Sequence, residues 1–274
     1  MRSRLQIAAV AAAFGALLAG ATGCTRLQAR DNLNKGVQAF KSAKFAEAAE
    51  FFQKATDLDP DFPTARLYLA TAYMSQYIPG AQSEENMAMA KKAHDEFLKV
   101  LEKSPNDAVA LASIASLFYH QKKFDEAEEW YRKVIAADPN NKESYYTLGV
   151  IAWGRTFPKR MEARAQLSMK PEDPGPIKDK KVREEVAAAN LPVVEEGMKN
   201  LEAALKIDPE YDDAMAYMNL LHRERADIQA DVEAHKRDTD AADQWVQKTL
   251  ETKKIKAARA EQKAAGGIVM ESGK

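Results

Sequence analysis

The side chains able to do chemistry are few and widely spaced. Cys24 is the only cysteine among 274 residues, so it has no disulfide partner within the chain and stands as a single nucleophilic thiol. The four histidines, His94, His120, His222 and His235, fall at separations too large for the short spacing of a metal site, and no second thiolate is available as a ligand. The carboxylate pairs Glu128-Glu129 and Glu195-Glu196 lie on expected helix surfaces, where charge is normally solvated. The densest ionisable run, His222-Arg223-Glu224-Arg225, reads as an ion-pair network at the end of a helix. There is no glycine-rich phosphate loop and no turn presenting a nucleophilic serine. The sequence therefore offers no catalytic residue, no metal ligand and no cofactor, and no small-molecule substrate is expected.

Charge narrows the partners further. The net charge is −1, with 30% charged and 46% hydrophobic residues. This composition suits a globular helical domain large enough for a sizeable core. It supplies no cationic excess to neutralise phosphates, so nucleic acid is not an expected partner. The locally basic stretch Lys253–Lys263 reads as a solvated helix end whose cations favour the helix C-terminus. The last residues, Ala264–Lys274, read as a disordered tail.

The setting of Cys24 gives the thiol a use. Arg2 and Arg4 precede an apolar, alanine-rich run from Leu5 to about Leu18, followed by Ala19-Gly20-Ala21-Thr22-Gly23-Cys24. A basic start, a short apolar segment and small residues at its end are the marks of an export signal. The run is too short for a comfortable membrane span. Ala21-Thr22-Gly23-Cys24 resembles a bacterial lipoprotein box, with Ala21 where leucine is usual. That resemblance implies cleavage before Cys24, lipidation of its thiol and export to the cell envelope. Cleavage would remove two arginines and no acids, taking the net charge from −1 to about −3.

The elements that must position any surface show a period. A similar phrase closes four times: TDLDP at Pro60, EKSP at Pro105, AADP at Pro139 and KIDP at Pro209. Pro105 to Pro139 is 34 residues, and the flanking steps of 45 and 70 residues contain insertions. A fixed period near 34 marks a repeat array of helix pairs. Small residues recur where two antiparallel helices cross, and large ones where neighbours interlock. Residues 108–141 fit best, with Leu111, Ile114, Ala115 and Phe118, then Phe124, Ala127, Tyr131 and Val134. Residues 29–62 carry Gly36, Phe45, Ala48, Phe52 and Ala55, with polar Asn32 and Lys35 on an outer side expected to be wet. Residues 63–107 carry Leu69, Ala70, Tyr73, Ala93, Phe97 and Val100. Residues 142–211 open with Tyr145, Leu148 and Gly149 and close with Gly197, Leu201 and Ala204. A fifth pair, 212–252, keeps the apolar spacing and reads as a cap.

On these residues the chain resembles tetratricopeptide-repeat proteins over roughly Ala29–Thr252, specifically an uncharacterised subgroup of bacterial tetratricopeptide lipoproteins. The resemblance implies an all-α solenoid, a right-handed superhelix of helix-turn-helix repeats, with residues 24–28 as a lipid-anchored linker and 253–274 as helix end and tail. Two insertions depart from the standard array. In Gln76–Met87, Pro79-Gly80 signals a turn and Ser83 caps a lengthened second helix. The insertion at 154–192 is too long for a bare loop. It is expected to hold two short helices, Lys159–Met169 and Lys180–Ala189, joined by Lys170–Pro176, whose three prolines and one glycine must interrupt any helix.

The resemblance also implies a concave groove lined by the first helix of each unit. The family's groove positions fall here on Phe40, Met74, Tyr119, Tyr146 and Trp153, among others, making an aromatic and apolar surface. The family's carboxylate clamp needs Lys, Asn and Arg at such positions, and only Lys41 fits. The expected ligand is an apolar peptide segment or an amphipathic helix, unless the 154–192 insertion folds back as a plug. The expectation is a non-catalytic adaptor, lipid-anchored through Cys24 and facing the periplasm, on the outer membrane in preference to the inner. An envelope enzyme with its site in the insertion, or a soluble chaperone-type array, is the alternative.

Overall fold

The recurring prolines act as helix terminators. In a computed structural model, which describes residues 24–268, with side chains to residue 263, α2 (Phe45–Leu58), α4 (Glu84–Lys103), α6 (Phe124–Ala137) and α8 (Lys180–Ile207) each end two residues before one of them. A proline ring excludes the preceding residue from helical backbone. Accordingly Asp59, Ser104 and Asp208 have φ of −140°, −136° and −129° with ψ of 86°, 80° and 95°. The remaining helices are α1 (24–41), α3 (Pro63–Met74), α5 (Ala108–His120), α7 (Lys142–Gln166), α9 (Asp212–Asp227) and α10 (Val232–Ile268). Among the described residues all regular structure is helical. The expected signal peptide, with the Ala21–Gly23 part of the lipoprotein box, lies outside them.

Several helices start on side chains that accept an otherwise unpaired amide. Asn86 N donates to Ser83 Oγ at 3.2 Å, as expected for the cap of the lengthened helix. Ala110 N donates to Asp107 Oδ1 at 2.8 Å, Ser144 N to Asn141 Oδ1 at 2.9 Å and Val182 N to Asp179 Oδ1 at 2.9 Å. The Pro79-Gly80 turn places Gly80 at φ 85°, a conformation that favours glycine. Asn86 then holds this turn from inside, accepting from Ile78 N and donating to the Ile78 and Ala81 carbonyls at 2.7–2.9 Å.

The described residues divide into two compact units, up to and after residue 130, with the division inside α6. In the first unit, Ala39, Ala48, Ala49, Phe52, Leu69 and Ala72 form one core cluster. Ala93, Phe97, Val100, Ile114 and Leu117 anchor a second. Ala115 and Ala127, expected at a helix crossing, are both fully buried. In the second unit, Val194, Leu201, Ala214, Met218 and Leu221 form the principal cluster, and Ala163, Ile177 and Ile228 form a smaller one under the insertion. Gly149 and Gly197 lie where α7 meets α8: a Cβ on Gly149 would come within 2.5 Å of Leu201, and one on Gly197 would overlap Ala152 Cβ. These two glycines allow backbones to approach more closely than any larger residue permits.

Three expectations change. The insertion does not contain two separate short helices, because its residues prolong the repeat's own pair: α7 runs through Pro158 to Gln166 and α8 runs from Lys180 through Pro192. Only 167–179 is non-helical. Pro158 lacks an amide for the Gly154 carbonyl; beside it, Thr156 Oγ1 donates to the Ala152 carbonyl at 2.9 Å and Asn190 Nδ2 ties α8 to the Thr156 carbonyl at 3.0 Å. Residues 24–28, expected as a lipid-anchored linker, are helical and belong to α1, with no proline or glycine between them and Gly36. Finally, α10 continues to Ile268, into the stretch expected as tail; the residues of its basic end are exposed, and there Lys253 and Lys256 pair with Asp212, and Arg259 with Glu210.

Candidate functional site

Each expected groove residue sits on, or at the end of, the first helix of its repeat, and each is half-buried. In the first unit these are Phe40 on α1, Met74 on α3 and Tyr119 on α5. Phe40 packs edge-on against Phe45 at 5.1 Å between ring centroids. Met74 leans on the core cluster around Phe97. Tyr119 meets Phe124 at 6.3 Å, and burial raises its hydroxyl pKa. The same unit holds two clefts, of about 520 and 260 Å³, the larger walled by α2, α3 and α4 around Tyr73 and the smaller by α4 and the α5–α6 turn. Neither has Phe40, Met74 or Tyr119 in its wall.

In the second unit Tyr146 and Trp153 lie two turns apart on α7 and join a larger aromatic group. Tyr217 of α9 stands between them, edge-on to Tyr146 at 5.6 Å and to Trp153 at 5.9 Å. Tyr211 packs on Tyr146 at 5.1 Å and Phe157 on Trp153 at 4.9 Å. Such offset and edge contacts add to simple area burial. The Tyr211 hydroxyl is pushed up to about 12 by burial, then by the negative charge of Glu143, Asp213, Asp208 and Asp212. Lys142 lies over the same ring, 4.8 Å from its centroid, and pairs with Asp208 at 2.6 Å. Sequence reasoning misses Tyr211 and Tyr217, which lie before and within α9, because their meeting with Tyr146 depends on how α9 packs against α7, which no local spacing discloses.

The run His222–Arg225 does form an ion-pair network at a helix end, and it is larger and more buried than the sequence disclosed. Arg225 Nε and Nη2 grip Asp238 at 2.5–3.0 Å, and His222 Nδ1 and Gln229 Nε2 reach the same carboxylate at 3.2 and 2.5 Å. Burial opposes ionisation of Asp238, but these hydrogen bonds and the Arg225 charge outweigh it and hold the carboxyl well below its usual range. Glu224 turns inward to Arg160 at 2.9 Å, and Asp227 receives both Arg160 at 2.6 Å and Arg164 at 2.9 Å. Burial raises the Glu224 pKa, only partly countered by Arg160. Arg164, 1% exposed, also donates to the carbonyls of Lys170 and Asp173 at 2.7 and 2.6 Å, pinning the non-helical segment.

Cys24 is exposed and helical, the first of the described residues. Among the described residues no cluster of His, Cys, Asp or Glu is arranged to hold a metal ion, and no helix is long and apolar enough to cross a membrane.

Comparison with known proteins agrees with the repeat reading. Models of the tetratricopeptide repeat match residues 33–77 and 108–141. The chain is 32% identical over 117 residues to sperm-associated antigen 1 of Rattus norvegicus, and 29% identical over 122 residues to protein O-mannosyl-transferase Tmtc3 of Drosophila melanogaster. Each match covers 43% of this chain and 12% of the other protein, so the chain spans a small fraction of the curated relatives it matches. Among solved structures, the MamA protein superposes with a TM-score of 0.56 at 15% identity, covering 84% of this chain and 94% of that one. At that identity the likeness is one of fold.

Proposed function

We propose that this tetratricopeptide-repeat protein is a non-catalytic adaptor, tethered by lipid at Cys24 to a bacterial envelope membrane on its periplasmic side, which binds an apolar peptide segment or amphipathic helix. The observation that carries the binding part is the set of half-buried aromatics on first helices, above all Tyr146, Trp153, Tyr211 and Tyr217 in the second unit. Large rings with one side in the core and one at the surface provide contact area with little entropy left to lose, which is how interface hot spots are built. The tethering part is supported by the residues preceding Cys24 and by exposure of that thiol at the first turn of α1. With no irregular spacer after Cys24, the first repeat would stand directly on the membrane surface.

Two measurements test this. Mass spectrometry and fractionation of the native protein should find acyl mass on Cys24 and the protein in the outer-membrane fraction, because two or more acyl chains hold a protein firmly where one holds it marginally. Cys24→Ser should block processing or release the protein; a soluble native protein with an unmodified Cys24 overturns the tether. For binding, Tyr119→Ala and Trp153→Ala should weaken capture of envelope partners while leaving the fold largely intact. Loss of stability with unchanged capture would identify these rings as core and move the binding site elsewhere.

A further inference from the structure

A polar cavity of about 350 Å³ lies in the second unit, beside the buried ion-pair network. Its wall includes Arg160 and Arg164 of α7, Asp173 of the non-helical segment, Arg223 and Asp227 of α9, and His235 of α10. Neither the aromatic group on α7 and α9 nor Cys24 takes part in it. We infer that this cavity is a binding site for a small zwitterionic α-amino acid. The inference is independent of the peptide-binding reading.

The argument rests on hydrogen-bonding capacity that the protein leaves unused. Arg160 spends Nε on Glu224 and Nη1 on Asp227, and no described residue accepts from Nη2. Arg223 spends Nε on Asn219 and Nη2 on Asp243, and its Nη1 likewise finds no acceptor. Arg164 Nε and Oε1 of the adjoining Glu224 are also without partners, but both are sealed from the cavity space and Glu224 is not part of its wall, so the contacts on offer are those of Arg160 and Arg223. Guanidinium N–H groups of this kind suit a carboxylate. Acceptors are present as well. His235 Nδ1 lies 2.9 Å from the Ala226 carbonyl, which can only accept, so in the neutral ring Nδ1 carries the proton and Nε2 keeps its lone pair. Asp173 accepts from Lys170 N through Oδ2 and leaves Oδ1 without a donor. These two acceptors suit an ammonium group.

Charge balance selects among anionic ligands. Arg160, Arg164 and Arg223 in the wall are matched by Glu172, Asp173 and Asp227. A dianion such as phosphate would lie in a setting with no net positive charge to compensate it, whereas a zwitterion leaves no uncompensated charge. The volume is at the low end of the range for small-ligand sites, which fits a compact amino acid.

The test is calorimetry on the full mature protein with glycine and L-alanine, alongside L-lactate, ethylamine and inorganic phosphate. Binding of an amino acid is expected, with lactate and ethylamine each weaker by about tenfold or more, since each lacks one charged group. Arg223→Gln, at an exposed position, should weaken binding by about tenfold with an unchanged melting temperature. Asp173→Asn keeps an acceptor for Lys170 N and should reduce amino-acid affinity while leaving lactate unaffected. No heat from any amino acid at about 10 mM, equal affinity for lactate, binding of phosphate alone, or full affinity in Arg223→Gln would each overturn the assignment.

Discussion

Gly197→Ala should destabilise the second unit, although it replaces a mid-helix glycine by the best helix former. Propensity alone favours alanine by about 0.8–1.0 kcal/mol. Against it, the new Cβ would overlap Ala152 Cβ and lie 3.0 Å from Leu221 Cδ1, where carbon atoms prefer about 3.5–4.0 Å. Ala152 Cβ is fixed to the α7 backbone, so no rotamer relieves the overlap and the two helices must move apart. Overpacking of this kind typically costs about 1–3 kcal/mol, and here it should approach or exceed the upper value before the propensity gain, leaving a net loss of about 2 kcal/mol or more. Urea unfolding followed by Trp153 and Trp245 fluorescence reports on this cluster, which both rings contact. The double variant Gly197→Ala/Ala152→Gly removes the opposing methyl and should show a coupling of about 1 kcal/mol or more toward stability. If Gly197→Ala alone stabilises the unit by its propensity, the close approach of α7 and α8 at this point is refuted.

Asn86→Ala removes three part-buried hydrogen bonds that hold the Tyr77–Ala81 turn and leaves its backbone groups at Ile78 and Ala81 without those partners. A loss of about 1–3 kcal/mol is expected in urea unfolding, with faster amide exchange confined to that turn; uniform exchange would contradict it. Asp238, whose folded-state pKa is depressed, contributes stability that is complete above its unfolded value of about 3.9 and lost as pH falls toward the folded value. Asp238→Asn should therefore be less stable at neutral pH by about 1–3 kcal/mol and lose less stability between pH 4 and 2 than the natural protein, which parallel acid-unfolding curves would disprove.

The sequence made some of this legible because the causes are local. Pro60, Pro105, Pro139 and Pro209 act on the residue beside them, so the helix ends follow from the chain alone. Ser83 capping α4 and the turn at Gly80 are equally short-range. The continuation of α7 through Pro158 and of α8 through Pro192 was not legible for the complementary reason. A proline weakens a helix by a fixed local amount, but whether the helix continues depends on packing against a neighbouring helix and on groups such as Asn190, remote in sequence from Thr156. The same limit applies to charges. Arg223, Glu224 and Arg225 announced a network by adjacency, while Arg160 and Arg164 gave no sign of their partners on α9.

That separation has a consequence for the order in which the protein can assemble. Arg164 and Asp227 are 63 residues apart, and a chain that is made or exported N-terminus first presents the arginine well before the carboxylate. At typical rates of synthesis the interval is about 3–12 s. During it, burying Arg164 would place an uncompensated cation in the interior, so the C-terminal end of α7 can close only when α9 arrives, although α7 and α8 already meet at Gly149 and Gly197. Completion of the last two pairs thus becomes a single event, timed by the emergence of Glu224 and Asp227, and a nascent chain halted after α8 would be marked as unfinished by its own exposed α7.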